Sequence, residues 1–587
     1  MTAVDLAQAL WLLVAALGLA LSVSYARIPV LGQGAFVAVG GVGTALLGPG
    51  GAGLPLGVAV LLAVAGAALS GYLVALGASR LQGAYLALAT WALAWLVYRL
   101  MVAFPEVFGG EQGLVRTAPA RLVSPSLGLE VVLTPGVHVV VAGVLCLSLI
   151  LALRRLEAGP AGLDLAALRE GPELAASLGV PVAPRRRVIL TVTAALGGLS
   201  GAGTAVLLGL VAAADVSPLL SLQLFVAVLV GGTARWWGPV AGVALLTALP
   251  GVADSLAAGA GLPPERVRGA LTAALLLGVV AVRGALARRL SRPPSSDDLR
   301  HVVAYTPGAT TTERRSSQEG EQVSRQDWRP VLLRATGVTH AYGPVRVLDE
   351  VDIALRAGEV HALVGPNGSG KSTLLRVLSG DLHPDAGEVE VAGVVQRRTR
   401  QDERVLAGVA RTPQRTVVLP GSTPARQVAV GARGGSRTRA EVVRHLLRTP
   451  GSRAAGAARE HVVAVALLAT GLAEVARNDP ATLAVGQQRL LQVARVVATG
   501  AQVLLLDEPA AGMTAAERLR LADVLRELAG NGAAVLLVEH DMRLVAAVAD
   551  RVTVLDRGRV LAVGAPEVVR ADPHVRRAYL GRGSEER

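Results

Sequence analysis

Apolar and polar positions divide this chain into two unlike halves. Up to about residue 287, Ala, Val, Leu and Gly fill long runs that a charge seldom interrupts. A helix needs about 20 apolar residues to cross a bilayer. Runs of that order lie at roughly 6–25, 55–79, 83–103, 131–153, 188–214 and 266–286. Shorter runs at about 32–47, 219–232 and 238–250 are rich in Gly and Pro. They predict either short tilted helices or broken helices around a central pathway, where irregular backbone is tolerated inside protein. The pattern thus predicts an N-terminal all-α polytopic membrane domain over 1–287, with about eight or nine segments. From about residue 331 to 587 the composition becomes that of a soluble α/β protein. Between them, 288–330 is rich in Ser, Thr, Arg, Glu and Gln and contains Pro293-Pro294. Such a stretch buries too little surface to fold alone and reads as a flexible linker.

Charge refines this picture. The formal net charge of +13 invites nucleic acid as a partner, but the arginines are spread along the chain. Arg27, Arg80, Arg154, Arg155, Arg169, Arg185, Arg186, Arg187, Arg235, Arg283 and Arg288 fall at alternate ends of the apolar segments. Cytoplasmic loops carry such an excess, so no nucleic-acid role is expected. This orientation puts the N-terminus outside and the soluble half inside the cytoplasmic membrane. The start of the chain carries Asp5 and no basic group, and the run from Leu6 to Tyr25 is long enough to stay in a bilayer. A cleavable signal peptide is therefore not expected. The runs hold almost no mid-span ionisable residue, which argues against a carrier driven by protons. Cys146 is the sole cysteine and lies in an apolar run, so packing is expected rather than disulfide or metal chemistry. The longest cytoplasmic loop, about 154–187, predicts a short helix pair over Asp164–Gly179, with Pro172 near a helix start where its missing N–H costs nothing. This loop is the candidate for receiving motion from the soluble half.

The soluble half carries the chemistry. Lys and Arg total 57, yet Lys371 is the only lysine. It sits in Gly365-Pro366-Asn367-Gly368-Ser369-Gly370-Lys371-Ser372, which fits the phosphate-binding pattern G-x-x-x-x-G-K-S. An ammonium is a compact point charge, whereas a guanidinium is a wide fork. A bias toward arginine has spared the one place where that difference matters. Val360–Val364 reads as a strand before the loop, and Ser372-Thr373-Leu374-Leu375 opens a helix after it. Backbone N–H groups and the helix start would surround phosphates. Lys371 would reach the β and γ phosphates, and the Ser372 hydroxyl would bind Mg²⁺. A second apolar strand, Val503–Leu506, delivers Asp507 and Glu508. Asp507 would stand beside the Mg²⁺, and Glu508 would polarise the attacking water. Alone, such an acidic pair reads as a helix cap. Leu483-Ala484-Val485-Gly486-Gln487-Gln488 lies about twenty residues earlier, and the strand Val535–Val538 ends at Glu539-His540-Asp541. A histidine there could hold the γ phosphate and the water.

In this order and spacing the set resembles the nucleotide-binding domain of an ATP-binding cassette (ABC) transporter, a C-terminal α/β P-loop NTPase domain over about 331–587. The resemblance implies that Tyr342 stacks on adenine. It implies that Gln414 senses Mg²⁺ and contacts the permease, and that His540 is the switch histidine. Leu483 to Gln487, with Ala484, Gly486 and Gln487, would close on ATP held by an opposite subunit, two such domains sandwiching two ATP molecules. Asp507-Glu508-Pro509-Ala510-Ala511-Gly512-Met513, Glu539-His540-Asp541-Met542 and Ala578-Tyr579-Leu580-Gly581 resemble the ATPases of the branched-chain amino acid uptake family, which also handles urea and amides. Gly32-Gln33-Gly34-Ala35-Phe36, Leu81-Gln82-Gly83-Ala84-Tyr85-Leu86-Ala87 and Trp237-Gly238-Pro239 resemble a permease subunit of that family, and Arg169-Glu170 ahead of Gly179 resembles its coupling loop. The chain looks like a permease fused to its ATPase.

Three positions depart from the pattern. Ala484 replaces the signature serine, a hydrogen bond to a charged group worth about 1.5–3 kcal/mol. Pro413 replaces a frequent aromatic, and Thr514 falls where asparagine is common, as in urea-type members. The resemblance implies ATP-driven uptake of small amino acids, branched-chain ones foremost, or of urea and short amides. An exporter half-transporter and a membrane-tethered regulatory ATPase are the other classes. The implied partners are a second permease and a second ATPase (or a second copy of this chain), an external substrate-binding protein and a small-molecule substrate, with ATP and Mg²⁺ as cofactors.

Overall fold

The computed structural model describes residues 2–77, 83–115, 121–124, 129–230, 236–260, 263, 266–267, 270–271, 274, 329–414, 416–419, 422–432 and 450–580. The linker up to 328, most of the expected segment 266–286, and Arg80, Arg235, Arg283 and Arg288 lie outside these residues. Among them, contacts gather 2–170 and 181–274 into one unit, and 171–180, 329–432 and 450–580 into a second.

The first unit is helical, with one small hairpin and one short pairing between strands distant in sequence among the described residues. Its helices, with α8 included in chain order, are α1 (Ala3–Ala20), α2 (Gln33–Leu47), α3 (Leu56–Gly77), α4 (Ala84–Ala103), α5 (Pro105–Phe108), α6 (Pro135–Ala158), α7 (Pro160–Glu170), α8 (Pro172–Ser177), α9 (Val182–Leu208), α10 (Pro218–Val230) and α11 (Gly238–Ala260). Of these, α8 groups with the second unit. Strand β1 (Leu114–Val115) pairs antiparallel with β4 (Leu210–Val211), and β2 (Arg121–Ser124) with β3 (Leu129–Val132). Among the described residues, six helices are long and apolar enough to cross a membrane: Ala3–Tyr25, Leu56–Gly77, Ala84–Ala103, Pro135–Glu157, Val182–Leu208 and Gly238–Gly259.

Buried and exposed faces sort these helices. α1 and α9 are mostly enclosed, whereas Leu61 and Leu69 on α3, Leu88 and Leu96 on α4, and Val140 and Val144 on α6 are exposed. Large outward apolar surfaces of this kind suit a lipid environment. α2 reaches the centre because its glycines admit backbone contact. A Cβ on Gly40 would stand 1.9 Å from Gly198 O, and one on Gly201 would stand 1.9 Å from Val37 O. Small residues permit such close helix approach within membranes.

Two of the three short runs remain short. α1 ends in a π-helical turn, Leu21–Tyr25, and the chain then runs without regular structure, through Arg27 with its left-handed φ of +50°, to the start of α2. α10 instead follows a 3₁₀ turn, Ala214–Val216, and the two starts meet where Gly34 N–H donates to Ser221 Oγ at 2.8 Å. The third run was expected to end at Pro250, but α11 continues to Ala260 with Pro250 inside it. Proline removes one helical hydrogen bond without forbidding the helix beyond, and apolar residues resume after it. The extension brings Asp254 into α11, so that span is less free of ionisable groups than the shorter run implied. Pro250, with Leu12, Gln223 and Leu224, lines a cavity of about 300 Å³ between α1, α10 and α11. Cys146 packs as expected, its thiol donating to Leu10 O at 3.3 Å. Within 154–187 the expected helix pair forms as α7 and α8, with Pro172 in the first turn of α8. Arg185 at the start of α9 pairs with Asp164 of α7 at 2.8 Å.

The second unit is built on two sheets. One is antiparallel, in the order β6-β5-β8-β9, from β5 (Val331–Tyr342), β6 (Val345–Arg356), β8 (Ala386–Val391) and β9 (Val394–Val395). The other runs β10-β11-β12-β7-β13-β14, from β7 (Val360–Val364), β10 (Val409–Arg411), β11 (Val503–Asp507), β12 (Ala534–Val538), β13 (Arg551–Asp556) and β14 (Arg559–Gly564). All its pairings are parallel except β13 with β14. β7, β11 and β12 are buried at every residue, which is why they read as mainly apolar runs, with His361 of β7 and Asp507 of β11 the buried polar residues among them. Around the sheets lie α12 (Lys371–Leu378), α13 (Gln401–Leu406), α14 (Pro424–Gly431), α15 (Pro450–Ala469), α16 (Val485–Val497), α17 (Ala515–Gly530), α18 (Met542–Val548), α19 (Pro566–Ala571) and α20 (Pro573–Leu580). In parallel α/β sheets, ligands bind outside the carboxyl ends of the strands. Here the neighbouring strands β11, β12 and β7 carry the three expected motifs to that same edge.

Candidate functional site

The turn after β7 is shaped by its glycines. Gly365, Gly368 and Gly370 have φ of +152°, +80° and +105°, conformations that side chains disfavour. A Cβ on Gly365 would also meet Leu555 O at 2.1 Å. The loop therefore exposes backbone, and α12 starts directly behind it at Lys371. Ser372 and Thr373 occupy the first turn of α12. Lys371 is buried, and its Nζ donates to Gly365 O at 2.8 Å and Pro366 O at 2.9 Å, folding back over the loop. Ser369 Oγ lies 3.5 Å from the same Nζ. Burial lowers the ammonium's pKa, while Glu508 and Asp507 pull it back up.

β11 and β12 bring acid and imidazole together. Asp507 ends β11 as a buried carboxylate. Glu508 follows with φ +47°, a left-handed backbone held by its N–H donating to Val538 O at 2.9 Å. Such strain costs free energy and persists where the surroundings over-determine it. Its Oε1 lies 2.7 Å from His540 Nε2, with both side chains about half exposed. The carboxylate thus faces solvent with an imidazole fixed to one oxygen. Glu539 accepts from the N–H of Ala510 at 2.7 Å, and burial pushes its pKa up. Asp541 caps α18 by accepting from Arg543 N–H at 2.9 Å.

Tyr342 lies at the end of β5 with its ring half exposed. Its hydroxyl accepts from Arg376 of α12 at 3.0 Å, and the ring meets His340 edge-on with centroids 4.9 Å apart. This ties the tyrosine to the helix behind the phosphate loop. Gln414 follows β10 and is exposed. A hard divalent cation suits this set: Mg²⁺ takes one or two carboxylates plus phosphate oxygens and water. Asp507 and the Ser372 hydroxyl are oxygen donors of that kind, and Gln414 adds an amide oxygen. The Asp507 oxygen that faces Arg411 is already occupied.

The signature segment is placed elsewhere, beside α17. Gly486 is buried there, and a Cβ on it would stand 2.2 Å from the Glu517 carboxylate. Thr514 caps α17 through Glu517, donating from its N–H at 2.8 Å and its hydroxyl at 2.9 Å. Asparagine at that position could cap the helix as well, which explains why this departure is harmless to the fold. Ala484 has extended φ/ψ of −57° and 153° at the N-cap of α16. Gln487 Oε1 accepts its N–H at 3.2 Å, so one half of a capping box is present and the other is missing. Ala484→Ser is expected to stabilise the ATPase by about 1 kcal/mol and to raise its turnover. Denaturant unfolding and phosphate release check this.

Two residues at this edge were not anticipated. Arg411 pairs with Asp507, and the Thr412 hydroxyl accepts the Asp507 N–H at 3.1 Å. An arginine closing a short strand gives no signal that it turns inward.

Family models match both halves of this chain. A model of ABC transporters matches 348–511. A model of the branched-chain amino acid transport system permease component matches 3–280. A model of branched-chain amino acid ATP-binding cassette transporters matches 559–585. The high-affinity branched-chain amino acid transport ATP-binding protein LivG of Salmonella typhimurium is 34% identical over 251 residues, covering 43% of this chain and 98% of that protein. Its counterpart BraF of Pseudomonas aeruginosa is 33% identical over 254 residues, with the same coverage of 43% and 98%. The aliphatic sulfonates import ATP-binding protein SsuB 1 of Nocardia farcinica is 38% identical over 269 residues, covering 44% of this chain and 96% of that protein. A crystal structure of an ATP-binding cassette in its ADP conformation aligns with 43% of this chain and 99% of that one, at 25% identity and a TM-score of 0.37.

Proposed function

From the premise that this chain belongs to the branched-chain amino acid ABC transporter family, with permease and ATPase in one polypeptide, we propose that it drives uptake of branched-chain amino acids across the cytoplasmic membrane. The ATPase half alone does not choose the solute, since it is also similar to a sulfonate importer. What carries the reading is the conjunction of a branched-chain amino acid permease match over 3–280 with the C-terminal match over 559–585.

ATP is the substrate of the soluble half. The backbone of Gly365, Pro366, Asn367, Gly368, Ser369 and Gly370, with the Ser372 and Thr373 end of α12, cradles its phosphates. Lys371 leaves the Gly365 and Pro366 carbonyls to neutralise them. Tyr342 offers its exposed face to adenine. Glu508 accepts a proton from the attacking water, and His540 holds that carboxylate and the γ phosphate in line. Mg²⁺, held by Ser372, Asp507 and Gln414, would neutralise charge developing on the phosphates. Ala484, Gly486 and Gln487 serve the ATP of an opposing ATPase. The loop 154–187, with α8, passes the resulting closure to the permease, and Gln414 takes part in that contact.

The assembly has two permeases and two ATPases, from a second copy or from different partner subunits, and an external binding protein delivers the solute. Proteoliposomes test this. Labelled leucine is expected to accumulate inside only with ATP on the ATPase side and a leucine-loaded binding protein on the other. Accumulation of urea but not leucine would move the substrate to urea and short amides. Efflux without any binding protein would identify an exporter. ATP hydrolysis indifferent to every solute and binding protein would identify a regulatory ATPase.

A further inference from the structure

β10 is the edge strand of the parallel sheet, and Arg411 ends it three residues before Gln414. Its Nη2 donates to Asp507 Oδ2 at 2.9 Å, with the two side chains 10% and 2% exposed. The next residue holds the same aspartate by its backbone, Thr412 Oγ1 accepting the Asp507 N–H at 3.1 Å. Thr412 N–H in turn donates to Leu505 O at 2.9 Å. The two residues leading into the Gln414 segment therefore grip Asp507 at both backbone and carboxylate. Arg411 Nε is buried without a partner, so the guanidinium is aimed at Asp507 rather than spread over all its possible acceptors.

A buried ion pair is weak evidence of stabilisation, because both charges lose water. Apolar residues would fill the same space at no greater cost. The pair is placed where its charge has a second use. We propose that Arg411 is a built-in counter-cation for Asp507 that competes with the divalent cation and ties the Gln414 segment to the state of that site. The proposal rests on the reading of Asp507 as the cation's carboxylate. With the cation absent, Arg411 satisfies Asp507 and holds β10 and Thr412 against it. With the cation present, two positive charges share one carboxylate, the Arg411 contact weakens, and the chain from Thr412 to Gln414 is released to move. Arg411 is a positioning residue: it acts on the reaction through Asp507 and Gln414.

Mn²⁺ binding to the purified full-length protein, followed by electron paramagnetic resonance with a non-hydrolysable ATP analogue, tests this. Arg411→Gln keeps a donor to Asp507 and removes the charge. It is expected to tighten Mn²⁺ binding by about tenfold, since removing a neighbouring cation removes a repulsion of that order. Nucleotide affinity without metal stays at the wild-type level, and Arg411→Lys restores wild-type Mn²⁺ affinity. In the wild type, hydrogen exchange at Thr412 and Gln414 is expected to quicken when Mn²⁺ and the analogue bind, a readout that needs no variant to fold. Equal Mn²⁺ affinity in Arg411→Gln and the wild type, or exchange at 412–414 unchanged by metal, overturns the proposal. Asp507→Asn separates the two layers: undiminished Mn²⁺ binding there refutes the cation site itself, whatever Arg411 does.

Discussion

Glu508→Gln is expected to slow ATP hydrolysis by about 10²–10⁴-fold, the usual contribution of a positioned proton acceptor. Nucleotide affinity should stay near that of the wild type. Glutamine keeps the size of the side chain and a polar partner for His540 Nε2, which lies 2.7 Å from Glu508 Oε1. It cannot take a proton from water. The backbone should not change either, because the left-handed φ of +47° is held by a main-chain bond to Val538 O. Phosphate release and nucleotide binding, measured on the same preparation, separate a lost base from a lost site. A variant that hydrolyses ATP at the wild-type rate would remove Glu508 from the chemistry and leave His540 without a carboxylate to orient.

Lys371→Arg should weaken ATP binding by about tenfold or more, although the charge is retained, because a wide planar fork does not substitute for a compact ammonium at such a site. The space is defined. Nζ sits 2.8 and 2.9 Å from the carbonyls of Gly365 and Pro366, and the loop cannot back away, since Gly365 is already against Leu555 O. Burial disfavours the ammonium and the carboxylates of Glu508 and Asp507 favour it, so the site depends on that charge being where it is. Calorimetric titration with ATP checks the effect. If the arginine variant binds ATP as tightly as the wild type, the survival of one lysine among 57 basic residues has no steric cause.

The parallel sheet was legible because its central strands are buried on both faces and so appear as Val360–Val364, Val503–Asp507 and Ala534–Val538, short apolar runs each followed by chemistry. The phosphate loop was legible because glycine and lysine have backbone and charge properties that no substitute reproduces. Length was the weak point in the membrane half. Proline is a reliable stop signal only on average, and α11 runs through Pro250 for another ten residues, to Ala260. The helix pair expected within 154–187 forms, but α7 starts at Pro160 rather than Asp164. Its tie to Arg185 could not be read from spacing. Arg411 was illegible for a deeper reason. Whether an arginine at a strand end points to water or to a carboxylate 96 residues away depends on which strands become neighbours, and pairing order is a property of the whole sheet. Tyr342 lies between these cases. Its aromatic type was readable, but its hydroxyl contact with Arg376 and its edge-on packing on His340 were not.

The bare main-chain contact of α2 with α9 has a mechanical consequence. Where Gly40 meets Gly198 and Gly201 meets Val37, no side chains stand between the helices to act as bearings. Packed interiors are bistable rather than continuously deformable, so these two helices have to travel as one rod. Any bending of the pair would then fall at its flanks, where the π-helical turn at Leu21–Tyr25 and the irregular backbone of residues 26–32 precede α2.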